Sequence, residues 1–550
     1  MTIKLGNVVR DLSRSPAALY VVVFVVAIVP FAFLLGSRAL VEVRYGHDVF
    51  HVLDAAHRIR LGQVPHRDFY MPYGVLESAL VAWLQKLCGR SPLVFHLSRA
   101  ALATVAALGA FALGRRRMPA RFAALYAVVV VATLAGQHQL GFPVQDLSHS
   151  ATYNRIGYAL LAIVLVESLP LDARTGAVGS WRPNLVEGLA SGFALGLCLF
   201  VKPTLPVIGG LIVVFSSGLG PARPFRAGGF VGGAVVALGV GGWLVRFDFA
   251  SMLSDYLFAG GARANSVRGT VTGDLFLDMS NRVSVDLTVG RIVETIVNEA
   301  ALIAVVAVLG GLAAGRPGAR FLGARRDAVV LALAFSGLSL MTVITSWQWG
   351  ESALMPMLAV AFGVLVVSEE HIRIARILAS VATIPFLAKA FGSIVYACIF
   401  PALHPEYLDP PHAFADPSLR GLMMVGSDSA CRRQNYVSRV EGGVANLRKL
   451  GLAEAKVLVL DFSNPFPYLL NTDAPRGTGI VWHANSTVSE AFFLSPTRMF
   501  GDADVVIVPK CAEDPLAVNL LLGHYGATLD AAFRELDHDE NFVFLGKKRP

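Results

Sequence analysis

The sequence predicts a polytopic α-helical membrane protein followed by a C-terminal α/β region. Three observations lead there. Of 550 residues, 55% are hydrophobic and 16% are charged, whereas soluble domains carry about a quarter charged residues. Mean hydropathy is +0.58. Long apolar runs recur through residues 1–400, and beyond them charged residues return. The net charge of +8 is not a nucleic-acid signal, because the Arg residues cluster in short loops between apolar runs, the pattern of membrane orientation. The first apolar run is too long for a cleaved leader and lacks a small-residue cleavage site.

A spanning helix needs about 20 mainly apolar residues. Eleven runs qualify: 17–38, 93–114, 121–138, 155–171, 187–203, 205–219, 227–246, 292–314, 327–345, 352–368 and 374–400. Lys202-Pro203-Thr204 separates the fifth from the sixth. With a cytoplasmic N-terminus, the inner segments hold Arg10 and Arg14, Arg115 to Arg117, Arg182, Arg226, Arg320 and Arg325. The outer loops 139–153 and 346–351 hold no Lys or Arg. Two long outer segments break the bias: 39–92, and 247–291 with Arg263 and Arg268. Long loops obey the rule poorly; alternatively, outer Arg residues bind an anionic ligand. Both explanations stand at this level.

An odd number of spans places residues 401–550 outside, as a periplasmic α/β domain after a 1–400 membrane domain. Lys456–Phe462, Gly479–His483, Ala503–Pro509 and Asn541–Leu545 read as strands, and Val437–Leu450 and Pro515–Leu522 as helices. That alternation predicts a small, mostly parallel sheet. His404–Pro417 is a plausible linker. The domain lacks a Gly-rich phosphate loop after its first strand, so it is not read as nucleotide-binding. An oxidising exterior permits a Cys431–Cys511 disulfide.

The polar island Arg44–Gly74, in the first outer loop 39–92, is the strongest functional signal. Val49, Phe50, Val52, Leu53, Ala56 and Ile59 fall at helical spacing, which predicts an amphipathic helix along the membrane surface. Gly62 to Pro65 break it, and Leu76–Leu87 forms a second such stretch. The two helices make a platform suited to a lipid-linked substrate, with HRDFYMPYG as the turn between them. Asp48 stands at the head of the first helix, where a carboxylate can take a proton from a positioned hydroxyl. An Asp there is also a common cap or first-turn charge, and Asp68 can equally pair with Arg67. His96 and Arg99, then Tyr153, Asn154 and Arg155, Lys202, Glu294, Asn298 and Glu299, and Gln348 and Glu351 lie at the same outer ends. Ionisable groups within spans usually face a cavity or a partner, although near helix ends they also snorkel.

Asp48, a following surface helix, then Gly62–Gly74 (GQVPHRDFYMPYG) resemble the first periplasmic loop of GT-C glycosyltransferases. The likeness is to the bacterial branch related to protein O-mannosyltransferases and lipid A aminoarabinose transferase. It implies a catalytic Asp48 acting as general base, a polyprenyl-phosphate sugar donor attacked with inversion, and a glycan, lipid or protein acceptor. Arg99, Arg155 and Lys202 would hold the phosphate. His47, Arg67, Asp68, Tyr73, Asn154, Gln348 and Glu351 complete the expected substrate-binding set. Many members carry Asp-Glu at the catalytic position, whereas here Val49 follows Asp48, so His47 or Asp68 would supply any second role. No metal site and no cofactor are expected. The implied location is the bacterial inner membrane, multi-pass. The rival readings are an O-antigen polymerase or ligase, kept open by the 247–291 loop, and a transporter of lipid-linked sugars. One expectation is directly measurable: in protein purified without reductant, Cys431 and Cys511 resist alkylation until a reductant is added, and two free thiols there would exclude the bond.

Overall fold

The computed structural model describes residues 15–169, 181–218, 224–271, 302–312, 325–344, 353–365, 372–409, 411–425 and 435–548. Every one of the eleven expected apolar runs carries a helix: α1 Pro16–Gly36, then, after the first loop, α4 Val94–Gly114, α5 Ala120–Ala135, α6 Thr152–Ser168, α7 Trp181–Cys198, α8 Thr204–Gly218, α9 Pro224–Leu244, and later α11 Leu302–Leu312, α12 Arg325–Ile344, α13 Leu354–Leu365 and α14 Ile372–Leu403. Among the described residues, four are long and apolar enough to cross a membrane alone: Ala17–Gly36, Val94–Gly114, Pro224–Leu244 and Ser380–Leu403. The first loop supplies α2 Asp48–Arg60 and α3 Leu76–Cys88, and α10 Phe249–Val271 follows α9.

The helices pack by two means. In the centre, Ala107, Tyr126, Val130 and Ala162 are fully buried, and the Tyr126 hydroxyl donates to the Ala162 carbonyl at 2.7 Å. At the edge, α7 and α9 bring their backbones into contact. A Cβ on Gly192 would lie 1.9 Å from the Phe230 carbonyl oxygen, so only glycine permits this approach, the small-residue packing common between membrane helices. At the end of the bundle opposite the first loop, Arg116, Arg117 and Arg226 pair with Glu167 and Glu187. Arg117 lies 2.8 Å from Glu187, and Arg226 2.5 Å from Glu167. Each buried carboxylate thus has two Arg partners, as burial demands, and one positive charge is left over on the partly exposed side.

The C-terminal region holds α15 Tyr436–Lys449, β3 Val457–Val459, α16 Phe466–Leu470, α17 Pro496–Phe500, β4 Val505–Pro509, α18 Pro515–Ala532, β5 Phe533–His538 and β6 Phe542–Lys547. The sheet order is β3-β4-β6-β5. Only β3–β4 is parallel, while β4–β6 and β5–β6 are antiparallel, which corrects the expected mostly parallel sheet. A parallel pair needs a long crossover, but only Asp539, Glu540 and Asn541 separate β5 from β6, and so short a link makes a hairpin. Gly479–His483 is no strand either. Its backbone groups are satisfied singly: Ile480 donates to Tyr70 and Trp482 to Phe462. Cys511 is disulfide-bonded, and Cys88, Cys198 and Cys398 are free. The expected partner, Cys431, lies outside the described residues.

The C-terminal region and the first loop share one core. A strand missed in the sequence, β1 Leu40–Glu42, pairs in parallel with β2 Leu422–Met424. Phe50, from α2, is fully buried and stacks edge-on to Phe414 at 5.6 Å, with Tyr436 at 5.9 Å. The helix α2 is therefore not a lipid-facing platform. Its polar side is buried too, because the C-terminal region supplies partners: His57 reaches the Thr472 carbonyl at 2.8 Å, Gln63, just beyond α2, that of Ala474, and Arg58 that of Pro475, each of the last two at 2.7 Å. The second helix, α3, keeps an exposed apolar edge at Trp83 and Leu87, one turn apart. Replacing Phe50 by Ala should cost about 3–5 kcal/mol of stability and loosen the C-terminal region first, read as faster proteolysis of residues 435–548 in the detergent-solubilised protein.

Candidate active site

The site forms where three segments converge on the start of α2. Asp48 is its first residue, with a side chain 12% exposed. The loop between α5 and α6 folds back on itself, with His138 bridging Leu147, and the Leu147 carbonyl accepts from the Val43 and Arg44 amides. That fold delivers Ser150, whose hydroxyl donates to Asp48 Oδ2. On its other oxygen, Oδ1, Asp48 faces His47 Nε2 at 3.5 Å. The opposite ring nitrogen, Nδ1, lies 3.2 Å from Glu513 of the C-terminal region.

A second carboxylate stands beside Asp48. Glu42, at the end of β1, is wholly buried and accepts from the His149 amide at 3.0 Å. Burial raises its pKa well above the usual range, and the Asp48 charge adds to this, against the His149 amide and Arg99. Burial thus biases Glu42 toward its protonated form beside the partly exposed Asp48. In the structure the second acid near Asp48 is Glu42, not Asp68. His149 is held neutral by burial and by the nearby Arg99, His96 and Arg155.

Arg99, in the second turn of α4, lies in the field of Glu77, Glu42 and Arg155. It donates to the Leu134 and Gly136 carbonyls at 2.7 Å each, and Arg155 donates to those of Thr133 and His138. Both guanidiniums therefore gather on the carbonyl end of α5, where unpaired helix carbonyls favour cations. Arg99 keeps one unused donor, Nη1, and Glu77 one unused acceptor, Oε1, both buried. Burial raises the Glu77 pKa to about 7 despite Arg99.

The turn after α2 places the aromatic wall. Gly74 donates to the Val201 carbonyl at 3.0 Å. A Cβ there would sit 2.0 Å from the Phe200 backbone, so glycine lets the turn dock on the α7–α8 junction. Tyr73 then stacks on Tyr153 at 4.6 Å. Lys202 lies over the Tyr153 ring at 5.6 Å and donates to Asn154 at 3.3 Å. Asp48, His47, Arg99, Tyr73, Asn154, Arg155 and Lys202 are thus brought into one connected set.

Arg67 and Asp68 are not part of it. Asp68 accepts from the Val64 amide at 2.8 Å and pairs with Arg67 and Arg476. Its work is to close the turn and tie it to the C-terminal region. His66 is similarly held by Asp255 of α10 at 3.1 Å. Tyr70 stacks on Trp482 in the C-terminal core. Gln348, Glu351, Glu294, Asn298 and Glu299 lie outside the described residues. The sequence offered a signal for Glu42, an acid inside the apolar run LVEV, but none for Glu513 or Ser150. Among the described residues no group of His, Cys, Asp and Glu could hold a metal ion.

No family model matches the chain, and no curated protein matches it in sequence. Among solved structures, it is similar to ArnT from Cupriavidus metallidurans bound to undecaprenyl phosphate, at 13% identity and a TM-score of 0.41, over 96% of this chain and 98% of that one. It is also similar to the archaeal oligosaccharyltransferase AglB from Archaeoglobus fulgidus in complex with an inhibitory peptide and a dolichol-phosphate. There the identity is 11% and the TM-score 0.35, over 88% of this chain and 69% of that one. Both likenesses are remote.

Glu77 gives the site a pH signature. With a folded pKa of about 7 against an ordinary 4.5, the folded protein holds a proton that the unfolded chain releases between those values. The Glu77 contribution is fully present below pH 4.5 and lost as pH rises through 7. Glu77→Gln should therefore gain about 3 kcal/mol on wild type between pH 4.5 and 8, read as diverging unfolding midpoints in micelles.

Proposed function

We propose that the chain is an integral-membrane glycosyltransferase of the GT-C type. It moves a sugar from a polyprenyl-phosphate donor to a hydroxyl acceptor on the outer side of the bacterial inner membrane. The observation that carries this reading is Asp48: a partly exposed carboxylate that already accepts from a hydroxyl, Ser150, and shares the neighbour Glu42 with the buried Arg99. The acceptor hydroxyl takes the Ser150 position and gives its proton to Asp48 as its oxygen bonds to the anomeric carbon. The bond from that carbon to the phosphate oxygen breaks, the electron pair leaves with polyprenyl phosphate, and the centre inverts. When protonated, as burial favours, Glu42 adds no second negative charge beside Asp48 and can donate a hydrogen bond.

The unused Arg99 Nη1 suits the leaving phosphate, since a buried donor without a partner requires a polar ligand atom, and Lys202, held by Asn154, adds a second cation. Tyr73 and Tyr153 offer a stacked aromatic face, which suits a sugar ring or prenyl chain. The exposed Trp83 and Leu87 of α3 suit the lipid interface. The placement also argues against transport. Asp48, Arg99, Arg155 and Lys202 all lie at or near helix ends, whereas carriers of that kind bind near the bilayer midplane. An eleven-span topology with an inner N-terminus puts the site and residues 401–550 outside. The disulfide at Cys511 supports an oxidising compartment.

The test is sugar release from radiolabelled polyprenyl-phosphate sugars in membranes holding the protein. Asp48→Asn should abolish transfer, by about 10²-fold or more, at unchanged expression. An Asp48→Asn protein with full activity would remove the assignment.

A further inference from the structure

Glu513 sits more than 460 positions along the chain from Asp48, yet its carboxylate is part of the same cluster. Its side chain is 2% exposed. One oxygen faces His47 Nδ1 at 3.2 Å and the other pairs with Arg439. Its amide donates to Asp461 at 2.9 Å. Arg439 also donates to the carbonyl of disulfide-bonded Cys511 at 2.6 Å, which ties down the turn before α18. His47 itself is fixed on its other sides. Its ring meets Phe462 edge-on at 4.7 Å, and its carbonyl accepts from the Ser463 hydroxyl at 3.0 Å.

We propose that Glu513 is a positioning residue for the reaction proposed above: acting through His47, it holds the Asp48 carboxylate so that one oxygen stays turned to the acceptor hydroxyl. The inference rests on that reaction. The division of the carboxylate is visible in its contacts. Oδ1 faces His47, and Oδ2 takes the hydroxyl. An imidazole set between two carboxylates can serve both only when both its nitrogens carry protons. Burial works against that charge, but Glu513, Asp48 and Asp461 outweigh it, so His47 titrates above its ordinary value. Among the described residues, the other ionisable groups facing it are His51 one turn along α2, Tyr45, and Tyr436 on α15. In this arrangement the C-terminal region supplies a working part of the site.

The test uses the full chain with a polyprenyl-phosphate sugar. Glu513→Gln keeps the shape and removes the charge. It should lower kcat by about 10- to 100-fold with the donor KM unchanged. It should also move the alkaline limb of the pH profile to lower pH, because His47 then loses its proton earlier. Glu513→Asp should restore part of the rate, and His47→Gln with Glu513→Gln should lose no more than His47→Gln alone. Wild-type kcat and pH profile in Glu513→Gln, or fully additive losses, would overturn the proposal. A thermal-unfolding double-mutant cycle on the same two residues reads their contact without turnover, and zero coupling would also overturn it. Strong coupling in a wild type that transfers no sugar would count against the reaction, not the contact.

Discussion

The structure depends on the docking of α2 into the C-terminal region. An amphipathic helix on a membrane would keep its charged side in water. Here that side is buried, and the penalty for burying it is offset one group at a time. Arg58 and Asp54 pair within the helix at 3.0 Å, and burial lifts the Asp54 pKa to about 6 against the opposing pull of Arg58. His57, Arg58 Nη1 and Gln63 find the carbonyls of residues 472–475, and Arg60 the side chain of Asn471, while Arg58 Nη2 and His51 Nδ1 keep no hydrogen-bond partner among the described residues. Burying a polar group costs least where it has a partner, and these partners come from the far end of the chain.

Consequences for the site follow from that docking. Because α2 is clamped on both faces, its first residue cannot drift. Asp48 receives Ser150 from the α5–α6 loop and His47 from its own turn. Glu42 arrives on β1, which is itself held by pairing with β2. The turn HRDFYMPYG is the joint of the assembly. Tyr70 enters the C-terminal core, His66 and the Met71 amide bind Asp255, and Gly74 docks on the bundle. Its residues fix the positions of others, while Tyr73 alone faces the connected set around Lys202.

Much of this was legible in the sequence. Helical spacing of Val49, Phe50, Leu53 and Ala56 gave α2 almost to the residue, and the apolar runs gave the bundle. The polar island was legible because acid, His and Arg are rare in so apolar a chain. What escaped was tertiary. Local periodicity cannot say that the polar side of α2 meets residues 472–475, so the helix was expected at the lipid surface. Glu513 carries no local signal, since it becomes part of the cluster only through Arg439 and His47. Gly479–His483 has the composition of a strand, but its partners are two separate segments with no continuous ladder. Asp68 is reactive by type, but its contacts in the structure are those of a turn closure, to the Val64 amide, Arg67 and Arg476, the commoner use of such a residue.

The most direct measurement of this account is amide hydrogen exchange on the full chain in micelles. If α2 is built into the C-terminal region, the amides of Val52–Arg60 and those of β2 and β3 open together, with similar protection, and lose it together in Phe50→Ala. If β2 and β3 exchange freely while α2 stays protected, or Phe50→Ala leaves them unchanged, the C-terminal region is merely adjacent and the shared core does not exist.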